Sequence, residues 1–204
     1  ELSDMIIANV VPEVQPKLIS LAQGGLNLIP QVIGNEDIDL GIKINIDQPN
    51  QAGADRLVNA VAARDLYDLP AIILDFGTAT TFDLVGKYGS YEGGIIAPGV
   101  NLSVEALYWA AARLPRLAVE PWEADMPILG KDTVSAMHSG IFWGYVSMVE
   151  GLIERLRSDY GSHLPVISTG GLASLFADHV ASISIVDPDL TLKGLVRIHA
   201  QNKR

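Results

Sequence analysis

An α/β fold with a mostly parallel sheet is predicted by three features of the sequence. Residues 71–74 (Ala-Ile-Ile-Leu) form a short continuous apolar run of the kind that becomes a buried strand. Residues 132–160 carry apolar side chains at steps of three and four, the helical period. Strand-like and helix-like segments then alternate along the chain, the pattern of helices laid on a sheet.

The elements follow in order. Residues 5–11 (Met-Ile-Ile-Ala-Asn-Val-Val) predict a buried strand ended by Pro12. Residues 16–23 predict a short amphipathic helix stopped by Gly24 and Gly25. Residues 40–46 alternate apolar and polar side chains, as an exposed or edge strand does. Leu57, Val58, Val61 and Ala62 place a helix over 55–65. The strand at 71–74 takes 82–85 as its hairpin partner, and a helix is predicted over 102–112. Asp132 is positioned to cap the longest helix. Its apolar positions are Val134, Met137, Ile141, Tyr145, Met148, Leu152 and Leu156, and Gly161 supplies the stop. A strand at 165–168 leads through Gly170 and Gly171 into another helix.

Composition narrows the function. Hydrophobic residues make up 49% of the 204, enough for a sizeable core. With no cysteine there is no disulfide framework and no thiolate zinc site, and a reducing cytoplasm fits. Twenty-four acidic against 14 basic residues give a net charge of −10. Nucleic acid and anionic membranes favour a basic excess, so neither is an expected partner. A nucleotide needs only a few local donors and stays open. No charged segment precedes an apolar stretch as in a signal peptide. No apolar run approaches the roughly 20 residues of a membrane span.

Four segments bear chemistry. In Asp75-Phe-Gly-Thr-Ala-Thr-Thr-Phe-Asp83 a strand delivers Asp75 at its carboxyl end. Gly77 allows close backbone approach, and Thr78, Thr80 and Thr81 offer hydroxyls beside an anion-cradling turn. A carboxylate there can hold a cation against phosphates. The same residues also describe an ordinary Gly-Thr turn. Gly53-Ala-Asp-Arg56 opens a helix, where the Asp is either a cap or a chemical group. Ser168-Thr-Gly-Gly-Leu-Ala173 runs from a strand through glycines to a helix start, which suits a nucleotide. Gly93-Gly-Ile-Ile-Ala-Pro-Gly99 reads as a glycine-bracketed apolar turn, for packing or for ligand contact. His138, His163, His179 and His199 match no metal-ligand spacing and are assigned to packing or surface. Trp109, Trp122 and Trp143 are assigned to core or interface, and Ser139 has no identifiable base. Gly140 and Gly144, one turn apart, permit close packing within the chain or between copies.

The order and spacing of these segments resemble type III pantothenate kinases over nearly the whole chain. Beyond the four segments, the likeness takes in Val58-Asn-Ala60, Leu114-Pro115, Gly130-Lys-Asp-Thr133, Ser139-Gly-Ile-Phe-Trp-Gly144 and Leu190-Thr-Leu-Lys-Gly-Leu195. The resemblance implies a ribonuclease H-like fold of the actin-like ATPase superfamily. That fold has two similar halves with mixed, mostly parallel sheets flanked by helices. Residues 1–70 then form an incomplete N-terminal half with the acceptor motif, and residues 71–204 the half with the phosphate and adenosine motifs. The implied activity is ATP-dependent phosphorylation of pantothenate, the first step of coenzyme A biosynthesis, in the cytoplasm. By the same resemblance Asp55 is the proton acceptor, while Gly53, Ala54, Asp55, Arg56 and Thr133 contact pantothenate. Asp75 matches a ligand of a monovalent cation, K⁺ or NH₄⁺. Thr78, Thr169, Gly170 and Gly171 match ATP contacts, with Mg²⁺ accompanying the nucleotide. A homodimer is implied.

Arg56 is expected either to pair with an anionic substrate group or to stabilise the Asp55 carboxylate. Two departures stand out. Relatives begin with a strand and an Asp-x-Gly-Asn-Thr turn, and no such motif precedes residue 53. A strand-helix unit of about 30 residues is therefore expected to be missing, the chain being either a fragment, the favoured reading, or one that has lost the loop. Ile46 stands where many relatives carry an aromatic residue, three positions before Pro49. The competing functions are a non-catalytic regulator of the Bvg accessory factor kind and a nucleotide-binding pseudokinase.

Overall fold

The computed structural model describes residues 2–111 and 113–203. The chain forms two compact units, each assembled from separate stretches. The first is Glu1–Ala71, Asp83–Gly93 and Asp189–Arg204; the second is Ile72–Phe82 and Gly94–Pro188.

In the first unit, β1 (Ile6–Ile7) pairs parallel with β2 (Gln31–Val32), Ile7 opposite Val32. The strand expected over 5–11 is therefore cut to two residues, because Val10 and Val11 face solvent and pair with no strand among the described residues. α1 (Gln15–Ser20) continues into a wider turn closed by the Leu26 N–H donating to Leu21 O at 3.2 Å. Gly24 and Gly25 lie in that turn, where the helix was expected to stop. Residues 40–46 form a single parallel bridge, Ile44 to Tyr91, rather than a strand.

The body of this unit is a pair of helices, α2 (Ala54–Leu66) and α6 (Leu190–Gln201). Val58 and Val61 of α2 form a buried cluster with Ile198 and Ile33. Gly194 permits the close approach, since a Cβ there would lie 2.8 Å from Val58 Cγ1. Thr191 Oγ1 donates to buried Asn59 Oδ1 at 2.7 Å, so the polar group inside this contact is satisfied.

The second unit holds most of a sheet of order β5-β4-β3-β6-β7, comprising β3 (Ala71–Phe76), β4 (Ala79–Val85), β5 (Tyr91–Pro98), β6 (Val166–Thr169) and β7 (Ile185–Val186); Ala71, the end of β4 from Asp83 and the start of β5 to Gly93 belong to the first. β3, β6 and β7 are parallel, with Asp75 opposite Thr169. Only two residues join β3 to β4, a link that suits a hairpin and is too short for a parallel crossover. The sheet is thus mixed. Residues 93–98, expected as a turn, belong to β5.

α3 (Val100–Ala110) precedes α4 (Thr133–Tyr160). The predicted end of α3, Ala112, lies outside the described residues. Asp132 caps α4 by a capping box: its Oδ1 accepts the Ser135 N–H at 2.9 Å, and Ser135 Oγ accepts the Asp132 N–H at 3.2 Å. Gly161 ends the helix at φ 138°. The buried stripe runs Met137, Ile141, Tyr145, Val149, Ile153, a ridge in steps of four, with Phe142 and Val146 beside it. Val134 is exposed, and Met148 and Leu152 are only half-buried, so the expected stripe drifts by one residue past Tyr145.

Aromatic stacking ties these elements together. Phe176 of α5 (Ala173–Ala177) stacks on Phe76 and on Phe142, both with ring centroids 5.2 Å apart. His138 stacks on Trp122, and His179 meets the faces or edges of Phe142 and Trp143, so both are packing residues. The Ser139 hydroxyl donates to Ile128 O, which makes it structural. Trp109, by contrast, is 76% exposed.

Candidate active site

The acceptor motif opens α2. Gly53 is the N-cap residue, in an extended conformation (φ −61°, ψ 140°) that any residue can adopt. Its lack of a side chain matters for space: a Cβ there would lie 2.6 Å from Asp55 Oδ1. Asp55 is half-buried in the first turn, and its Oδ1 accepts the Arg56 backbone N–H at 2.8 Å.

The Arg56 side chain turns to Asp83 and not to Asp55. Its Nε donates to Asp83 Oδ1 at 2.8 Å, and its Nη2 lies 2.6 Å from the same oxygen. Asp83 is completely buried, and Tyr91 OH donates to it at 2.8 Å. Of the two roles expected for Arg56, a direct pair with Asp55 is not formed and Asp55 acts on it through charge alone; the buried carboxylate claims the guanidinium because it has no water to turn to. Burial alone would lower the Arg56 pKa, but the hydrogen bonds and charge of Asp83 outweigh it, and the net shift is upward. Burial first, and then the Asp83 charge, pushes the Tyr91 phenol well above its ordinary range. Both groups are fixed as donors at neutral pH.

Asp83 and Tyr91 escape sequence reasoning as site residues. One signal was present: Asp83 sits between Phe82 and Leu84 in an apolar strand, and a buried acid demands a cationic partner. Nothing local in the sequence names that partner as Arg56.

In the second unit the nucleotide motifs meet at the carboxyl ends of parallel strands. Thr169 is buried opposite Asp75. Gly170 follows at φ 91°, and a Cβ there would sit 2.5 Å from Asp75 Oδ1 and 2.6 Å from Phe76 O. Oxygens of Asp75 and Phe76 therefore lie against the Gly170 turn, in space that only glycine leaves open. These are hard oxygen donors, the kind that suit an alkali or ammonium ion. The crevice beyond the carboxyl ends of such strands is the usual ligand position of α/β sheets.

Gly77 and Thr78 form the exposed β3–β4 turn, and Gly99 lies so close to the Thr78 carbonyl that a side chain at 99 would collide with it. Thr80 is completely buried, its hydroxyl included, so contrary to expectation that hydroxyl is not exposed at the turn. Gly171 is exposed, with open space beside it. Thr133 is the exposed first residue of α4. Ile46 packs near Gly93, whose added Cβ would meet Ile46 Cγ2 at 3.4 Å.

Comparison with known proteins completes the picture. A relative from Paramagnetospirillum magneticum named type III pantothenate kinase is 50% identical over 99% of this chain and 76% of its own length. One of the same name from Caulobacter vibrioides is 50% identical over 97% of this chain and 75% of its own. A crystal structure from Campylobacter jejuni, titled a conserved putative Baf family transcriptional activator, superposes with a TM-score of 0.67 at 19% identity. It covers 99% of this chain and 84% of its own, and attests the fold alone. The class thus defined is an α/β kinase. The chain belongs to the type III pantothenate kinase family, whose model matches residues 1–155.

Proposed function

We propose that this chain transfers the γ-phosphoryl group of ATP to the primary alcohol of pantothenate, with Asp55 as the proton acceptor. The reaction is the first step of coenzyme A biosynthesis, and the family assignment supports it. The observation that carries the residue assignment is the Asp55 carboxylate, half-buried at a helix start and given room by Gly53. An alcohol is far too weak an acid to ionise at neutral pH. A positioned carboxylate that takes its proton as the bond to phosphorus forms contributes about 10²- to 10⁴-fold. Arg56 uses the donors not directed at Asp83 to bind the acceptor, together with Gly53, Ala54 and Thr133. Phosphoryl transfer otherwise depends on alignment and charge neutralisation.

Thr78, Thr169, Gly170 and Gly171 serve ATP, which brings its Mg²⁺. The oxygens of Asp75 and Phe76 around Gly170 would hold a monovalent cation, K⁺ or NH₄⁺, offsetting triphosphate charge. The division into an acceptor half, residues 1–70, and a nucleotide half, residues 71–204, within an actin-like ATPase fold, is part of this proposal. So is a homodimer working in the cytoplasm. No helix among the described residues is long and apolar enough to cross a membrane.

The test is a coupled ADP-release assay on the purified protein with Mg²⁺ and K⁺. Pantothenate-dependent ADP is the expected result, and none above background would overturn the proposal.

A further inference from the structure

Asp83 Oδ1 accepts two hydrogen bonds, from Arg56 Nε and from Tyr91 OH, both at 2.8 Å, and Arg56 Nη2 lies against it as an ion-pair contact at 2.6 Å. The Arg56 Cζ also lies 5.7 Å from the centroid of the Tyr91 ring, within cation–π range. Tyr91 therefore grips the guanidinium twice, by its ring directly and by its hydroxyl through Asp83. The carboxylate is wholly buried and the Arg56 side chain is 14% exposed.

A guanidinium has five N–H donors in a rigid fork. Nε donates to Asp83 and Nη2 is buried in ion-pair contact with it; the two donors on Nη1 are not directed at Asp83. An arginine on a free stem must lose rotamer entropy when it binds an anion. Here that ordering is already done, one residue after the Asp55 carboxylate.

We propose that Asp83 and Tyr91 are positioning residues, which hold the Arg56 fork so that its remaining donors meet the polar groups of the acceptor beside Asp55. This rests on the assignment of Arg56 to acceptor binding. Neither residue touches the reacting atoms. Their effect belongs in the affinity for the acceptor, leaving the chemical step and the nucleotide unaffected.

Steady-state kinetics on four proteins test it: wild type, Tyr91→Phe, Arg56→Gln and the double variant. Tyr91→Phe keeps the ring and deletes the hydroxyl. Arg56→Gln removes the fork, yet its amide can still donate to Asp83, so the buried carboxylate keeps a partner. Tyr91→Phe is expected to raise KM for pantothenate about threefold to tenfold, the worth of one hydrogen bond. Its kcat and its KM for ATP should stay within about twofold of wild type. In the Arg56→Gln background the same change should add nothing, because a residue acting through Arg56 has nothing left to hold.

A Tyr91→Phe effect of equal size in both backgrounds would overturn the positioning role. So would a lowered melting temperature with unchanged KM, the mark of a purely structural hydroxyl. If Arg56→Gln itself left the pantothenate KM unchanged, the assignment of Arg56 to the acceptor would fall, and the inference with it. The two failures are told apart by that single variant.

Discussion

Gly53 leaves open the space that the Asp55 carboxylate occupies: a Cβ at position 53 would lie 2.6 Å from Asp55 Oδ1. The backbone at 53 suits alanine, so Gly53→Ala strains no dihedral angle, and the atom it displaces is the end of a flexible side chain. The expected outcome is a folded protein with a melting temperature close to wild type and kcat lowered about 10- to 100-fold. A displacement of about 1 Å at a reacting group costs on that order. Kinetics and a thermal melt on the same sample check it.

How much of this was legible in the sequence follows from which interactions are local. α2 and the cap of α4 are legible in the sequence because periodicity and capping act within a few residues. The core stripe of α4 drifted because apolar residues occupy several faces: Met148 and Val149 both fit a helical repeat, and only the packing partner chooses Val149. Residues 5–11 lost most of their strand because pairing partners, not β propensity, decide how far a strand runs. The Arg56–Asp83 pair joins residues 27 apart, and no local pattern links them.

Asp75 and the Gly170 turn give the second prediction. With Asp75 Oδ1 and Phe76 O both lying against the Gly170 turn, K⁺ or NH₄⁺ should activate the enzyme much more than Na⁺. Asp75→Asn should flatten that dependence and raise KM for ATP. Rates in the three chloride salts at matched ionic strength measure both, and equal rates would remove Asp75 from the role.

The third prediction concerns assembly. α3 exposes Leu102, Leu107, Tyr108 and Trp109, and open space lies beside Gly140 and Gly144 on α4. Apolar side chains clustered on one helix mark an association surface. Light scattering at tens of micromolar should give a dimer mass. Trp109→Glu should shift the population toward monomer without altering the circular dichroism. A wild-type monomer would count against the dimer.

The capping box of α4 gives a pH prediction. Hydrogen bonds from Ser135 N–H and Oγ hold the Asp132 pKa below the ordinary carboxylate value of 3.8. A pKa depressed in the folded state contributes stability above the unfolded value, lost as pH falls through the folded one. Asp132→Asn keeps the cap without the charge, and Asp132→Ala loses both. At pH 7 the alanine variant should melt about 2–4 °C lower and the asparagine variant less so; as pH falls below 3.8 the gap between wild type and the asparagine variant should close, while the gap between the asparagine and alanine variants, neither of which titrates at 132, should persist.

Asp55→Asn separates chemistry from capping at the acceptor site. Asparagine keeps the shape, and its Oδ1 can still accept the Arg56 N–H that Asp55 accepts at 2.8 Å. It loses the basicity. If Asp55 takes the proton of the alcohol, kcat should fall roughly 10²-fold or more. KM for ATP should change little, because the nucleotide contacts are assigned to Thr78 and the turn after Thr169. If Asp55 instead serves only the helix start, asparagine is an adequate replacement and turnover should stay near wild type. Melting temperature decides whether any loss is chemical: an unchanged midpoint with a 10²-fold drop in kcat identifies the base, whereas near-normal turnover by a folded variant removes Asp55 from that role.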